Sequence, residues 1–163
     1  MDSLITIEVP RAYGFVLLTA TTTHLLSLWH SGRIPAFRQA AQIPHPCAFA
    51  SAETIARAPT KAHRQALYLF NCAQRAHANF LENFTATLSA LLLAGLKYPR
   101  LAALLGLLWC AGRVVYAMGY TSQSEENVEG SGRWAFGGYH VAAVCQVVLV
   151  GLVGWMGVGL LRV

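Results

Sequence analysis

Residues 12–32 and 134–161 each contain no Asp, Glu, Lys or Arg. Either run is long enough for a helix to cross ~30 Å of hydrocarbon, which takes ~20 apolar residues. The composition agrees: charged residues make up 12% of the chain and mean hydropathy is +0.45, whereas a soluble domain carries roughly 25% charged residues. At 17.7 kDa the chain is one domain, and membrane-crossing helices leave no room for a separate soluble catalytic unit. Any active site therefore lies within or beside a helical bundle.

Two further helices fit between these runs. One covers about residues 67–96; residues 83–96 are uncharged, but the part before them carries Arg75, His77, Asn79 and Glu82. Lys97, Tyr98, Pro99 and Arg100 then form a tight turn, because proline cannot continue a helix and restricts the residue before it. The next helix covers about residues 101–120 and is apolar apart from Arg113. Residues 33–66 hold Pro44, Pro46 and Pro59 with no sustained period, and residues 121–133 hold Glu125, Glu126 and Glu129. Both read as polar connections.

The expected fold is all-α, an integral-membrane four-helix bundle with spans at about residues 12–32, 67–96, 101–120 and 134–161. Four crossings put the two polar connections on the same face. That face carries Arg33, Arg38, Arg57, Lys61, Arg64 and Arg133, against Arg11, Lys97, Arg100 and Arg162 on the other. The excess favours the cytosol for the first set. No A-x-A cleavage pattern follows the first apolar run, so it is expected to stay as an anchor.

Several function classes drop out. The net charge of +5 comes from scattered basic residues, not from the basic run that nucleic-acid binding needs, so no nucleic acid is expected as partner. Cys47, Cys72, Cys110 and Cys145 are far apart and form no zinc-type spacing, so free thiols and no metal are expected. The sequon at Asn83 falls inside the second span and is expected to be unmodified.

The polar residues of the second and third helices fall into stripes. Arg75, Asn79 and Glu82 lie at i, i+4 and i+7 and share one helix face. His77, two residues from Arg75, points about 200° round the helix. Arg113, Tyr116 and Tyr120 repeat at i, i+3 and i+7 and form a second stripe, and the two stripes could face each other. Ionisable groups at membrane depth are costly and mark functional sites, although an Arg75 or Arg113 pair with Glu82 would also satisfy both charges structurally. The set suits a small zwitterionic peptide: guanidinium for carboxylate, carboxylate for ammonium, amide and phenols for peptide groups. With no Ser-His-Asp or Cys-His arrangement in view, an enzyme built this way takes its nucleophile from a cosubstrate.

The run FNCAQRAHANFLE at residues 70–82 resembles the R-A-H-x-N-x-x-E signature of the membrane-associated proteins in eicosanoid and glutathione metabolism, the MAPEG family. Tyr98-Pro99-Arg100, Gly106, Trp109, Gly112-Arg113, Tyr116 and Gly119-Tyr120 resemble its third-helix signature, and YGFVLLT at residues 13–19 resembles the start of the type-three microsomal glutathione transferases. The resemblance implies a homotrimer in the membrane of the endoplasmic reticulum or nuclear envelope, with glutathione as cosubstrate between adjacent subunits near the cytosolic face. It implies glutathione contacts for Arg75, Asn79, Glu82, Arg113, Tyr116 and Tyr120, with His77 lining the site and Arg33 at the end of the first helix as a further contact. Relatives activate the thiol with an arginine at the start of the fourth helix; Arg133, the only arginine between Tyr120 and the fourth span, is the candidate for that role here. The partner is then a lipophilic electrophile, for conjugation, or a lipid hydroperoxide, for reduction, arriving from the membrane lipid.

Two other readings remain from the residues. One is a non-catalytic lipid-binding scaffold like the family's lipoxygenase-activating member, which departs at glutathione-binding and catalytic positions. The other is an ion pathway lined by His24, Glu82 and Arg113.

Overall fold

The computed structural model describes residues 8–162 and contains α-helix and no strand within them. Helix α1 spans Tyr13–Ala41, α2 Ala52–Ala56, α3 Lys61–Lys97, α4 Pro99–Tyr120 and α5 Gly138–Leu160, with a 3₁₀ segment at Ser131–Gly137 leading into α5. The helices overrun the sequence expectation at three places. Helix α1 continues beyond residue 32, through Pro35, to a left-handed Gln42. Helix α3 begins at Lys61 instead of near residue 67, because the Thr60 side chain accepts from the His63 N–H at 3.1 Å and caps it. The connection between them, expected to be without helix, holds the five-residue α2, capped by Ser51. At the opposite end α3 and α4 are separated by Tyr98 alone, and Pro99 opens α4 where its missing N–H costs nothing.

Core layers are stacked along the bundle. Val16, Leu91, Ala102 and Leu149, one from each long helix, pack at the α3–α4 turn. Leu26, Phe80, Trp109 and Ala142 form the next layer, again one from each. Ala76, Tyr116 and Ala117 follow, and Ala41, Ala50, Leu67 and Phe70 close the end nearest α2. Small residues let the backbones approach: a Cβ on Gly112 would lie 2.7 Å from the Gly138 carbonyl oxygen and 3.0 Å from the Ala142 nitrogen. Close contact of this kind is how helices associate without a hydrophobic drive between them.

The outward faces are apolar. Leu17, Leu18, Leu25, Leu28, Leu104 and Val147 are all more than half exposed or close to it, as are Val144 and Trp155 on α5. Two stretches, Pro99–Tyr120 and Ser131–Leu160, are long and apolar enough to cross a membrane, with mean hydropathy 1.8 and 2.2 over their best windows. Helix α1 keeps its threonines compatible with such surroundings by bonding their hydroxyls to its own backbone, Thr19 to the Phe15 carbonyl at 2.9 Å and Thr23 to the Ala20 carbonyl at 2.7 Å.

Gly112→Val is expected to force α4 and α5 apart and to cost about 1–3 kcal/mol of stability. Thermal unfolding in detergent checks this, and an unchanged melting temperature would contradict so close a contact.

Candidate functional site

Helices α3 and α4 diverge from their shared turn, and just beyond the Trp109 layer their polar residues meet. Arg113 is 3% exposed and donates from Nη1 to Asn79 Oδ1 at 2.7 Å, so the α4 stripe does face the α3 stripe. The structure thus resolves which partner Arg113 takes: the amide of Asn79, while Glu82 is 3.6 Å from Arg75 Nη1. Asn79 also lies 3.4 Å from Glu82 Oε2 through its amide nitrogen. Arg75 and Glu82 are about half exposed, at 51% and 55% of their side chains, and so present opposite charges outward with Asn79 between them. Arg113 lies over the rings of Trp109 and Tyr116, at 5.3 and 5.8 Å, and its Nε has no partner among the described residues. A cleft of about 480 Å³ opens here, lined by Asn79, Asn83, Arg113, Tyr139 and Gln146.

Tyr116 and Tyr120 continue the α4 stripe toward the α4–α5 connection, their rings edge to face at 5.5 Å. Arg133 comes back to meet them. Its guanidinium lies 5.6 Å from the Tyr120 ring centre and 4.8 Å from that of Trp134. Nη1 donates to the carbonyls of Glu129 and Gly130, both at 2.9 Å. Glu129 and Gly130 hold positive φ, +51° and +74°, which turns their carbonyls toward the arginine. A Cβ on Gly130 would collide with the Tyr120 ring and sit 2.7 Å from Arg133 Nη1. Glycine is therefore required there for both backbone and space.

Arg33 and His77 belong to a different face. His77 lies edge-on to His30 of α1 at 6.3 Å, and His30 stacks on Phe80 at 4.6 Å. Arg33 donates from Nη2 to Thr121 Oγ1 at 2.6 Å and lies over Trp29 at 4.5 Å. Half-burial lowers the Arg33 pKa from its usual range, yet a guanidinium stays charged at neutral pH. One chain thus gathers Arg75, Asn79, Glu82, Arg113, Tyr116, Tyr120 and Arg133 along α3, α4 and the connection, and sets Arg33 and His77 on the α1 side.

Sequence reasoning missed Tyr68 and Asn127. Asn127 is 7% exposed; its amide nitrogen donates to the carbonyls of Tyr120 and Ser122 at 3.1 and 2.9 Å, and its Oδ1 accepts from Gly132 N–H at 3.0 Å. Tyr68 Oη donates to the Asn127 carbonyl at 2.8 Å and accepts from Gly130 N–H at 2.6 Å. The asparagine in a polar connection was the one available signal; nothing local marks Tyr68.

Gly130→Ala is expected to loosen the turn by about 1–3 kcal/mol, the cost of a strained backbone position. Hydrogen exchange should rise within residues 127–133 while the Trp109 layer stays protected; equal protection in the variant would contradict the role of this glycine.

The sequence profile of the MAPEG family matches residues 16–155, a stretch that holds every residue just placed. Helical architecture, an apolar exterior and polar stripes at the signature positions accompany that match, and the chain belongs to the MAPEG family.

Proposed function

We propose that this chain is a membrane-bound glutathione transferase with glutathione peroxidase activity, most like the type-three microsomal enzymes. The observation that carries the reading is the run of charges down α3, α4 and their connection to α5: Arg75 and Glu82 outward, Arg113 buried on Asn79 beside a cleft, and Arg133 over Tyr120. Glutathione offers two carboxylates, one ammonium, two peptide groups and a thiol. Arg75 and Arg113 suit the carboxylates, each with paired donors. Glu82 suits the ammonium, and Asn79, Tyr116 and Tyr120 suit the peptide groups.

Arg133 is assigned to the sulfur. A free thiol has a pKa of about 8.5, and a guanidinium beside it stabilises the thiolate, which is the nucleophile. Nη1 is engaged with the turn, and Nε and Nη2 make no hydrogen bond among the described residues, so they are available to the anion. In conjugation the thiolate sulfur bonds an electrophilic carbon of a lipophilic substrate, and a leaving group departs or the adjacent carbon takes a proton. In peroxide reduction the thiolate attacks the terminal oxygen of a lipid hydroperoxide, the O–O bond breaks to give a sulfenic acid, and the departing alkoxide takes a proton from water and leaves as the alcohol. A second glutathione then converts the sulfenic acid to disulfide and water.

Arg33 and His77 enter through assembly. His77 faces α1 and Arg33 reaches from α1 to Thr121 at the end of α4, and in this reading both meet the glutathione of an adjacent subunit. The homotrimer of four-span subunits in this reading comes from the family resemblance. The basic excess on the side of Arg33 and Arg133 supports a cytosolic site, in the endoplasmic reticulum or nuclear envelope membrane. The lipid substrate enters from the bilayer over the exposed leucines and valines.

Arg133→Ala should lower kcat for conjugation by about 100-fold, the scale of deleting a group that stabilises a reacting anion, and leave glutathione binding intact. Full activity in the variant would refute this assignment. Glu82→Gln should raise the glutathione dissociation constant about tenfold, since a bond to a charged group is worth roughly 1.5–3 kcal/mol. Unchanged affinity would remove Glu82 from the site, and a wild type that binds lipid but shows no turnover would favour the scaffold reading.

A further inference from the structure

We propose that Tyr68 and Asn127 are positioning residues that fix the turn at residues 127–133 and thereby aim the Arg133 guanidinium. The inference rests on the reading of Arg133 as the thiol-activating group and extends it to the residues that hold it. Gly130 N–H donates to Tyr68 Oη at 2.6 Å, and the carbonyl of the same Gly130 accepts from Arg133 Nη1 at 2.9 Å. One residue thus links the phenol of α3 to the guanidinium. The second carbonyl on Nη1 is that of Glu129, flanked by the same anchor.

Asn127 secures the two ends of the turn. Its side chain bonds Tyr120 and Ser122 at the exit of α4 and Gly132 immediately before Arg133. Its own carbonyl takes the Tyr68 proton at 2.8 Å, so the phenol is both donor and acceptor and its orientation is fixed. Without these bonds the turn would depend on short local contacts, such as Ser131 N–H to the Val128 carbonyl at 2.9 Å. A long arginine on a loosened turn samples many rotamers, and misplacement by about 1 Å in an active site costs about 100-fold in rate. The phenol and the amide thus convert a loop arginine into a fixed charge.

Tyr68→Phe removes a single oxygen and tests this directly. Turnover of a chlorodinitrobenzene electrophile would be followed against pH at saturating glutathione in the wild type, Tyr68→Phe, Arg133→Ala and the double variant. In Tyr68→Phe, kcat is expected to fall about tenfold at neutral pH and the acid limb of the profile to move up by about one unit, a tenfold loss of thiolate. The glutathione dissociation constant stays at the wild-type value. Adding Tyr68→Phe to Arg133→Ala costs nothing further, because the two act through one group.

An unmoved limb in Tyr68→Phe overturns the positioning role, and so does a joint fall of kcat, affinity and melting temperature, which marks general loosening. A further loss in the double variant overturns it too. If Arg133→Ala keeps the wild-type limb, the thiol-activating reading fails and the positioning role falls with it; if only Tyr68→Phe keeps it, the positioning role alone is refuted.

Discussion

A guanidinium that is 3% exposed and bonded to one amide across a helix pair is the constraint around which this bundle is arranged. Removing one partner from a buried charge is far more costly than any surface pair is worth, so Arg113 holds Asn79 in place and Asn79 fixes the register of α3 against α4. Layers of Trp109, Phe80 and Leu26 below it exclude water from one side. Tyr116 and Tyr120 above it provide aromatic faces on the other. The exposed Arg75 and Glu82 are then displayed at a fixed distance from a buried positive charge.

The opposite side of the site is built from backbone. Residues 121–133 hold few apolar groups, and their order comes from Asn127, Tyr68 and two positive-φ residues. Carbonyls hold one end of the Arg133 guanidinium, which lies over the Tyr120 ring. Outward leucines and valines of α1, α4 and α5 give the bundle an apolar exterior, and the cleft beside Arg113 joins polar Asn79, Asn83 and Gln146 to apolar Val147 and Val150 of α5.

Periodicity made the α3 stripe legible, because a 3.6-residue repeat puts Arg75, Asn79 and Glu82 together and turns His77 away, toward His30 as the structure has it. Pro99 likewise marked the α3–α4 turn. What the residues left open was pairing. Both Arg75 and Arg113 suited Glu82 by charge, and only packing directs Arg113 to Asn79. Helix ends were also hidden: α1 passes through Pro35 because Ala41 and Ile34 pack with Phe70 and Ala50, a tertiary contact that no local signal carries. The Tyr68–Asn127 anchor joins positions 59 residues apart, beyond the reach of any spacing rule.

The proposed function requires that this site hold glutathione as its thiolate. Titrating the detergent-purified protein with glutathione at neutral pH, and following thiolate formation by ultraviolet difference absorbance, tests it most directly. A saturable thiolate signal approaching one per site is expected. Glutathione that binds without any thiolate signal, or no binding at all, would contradict it.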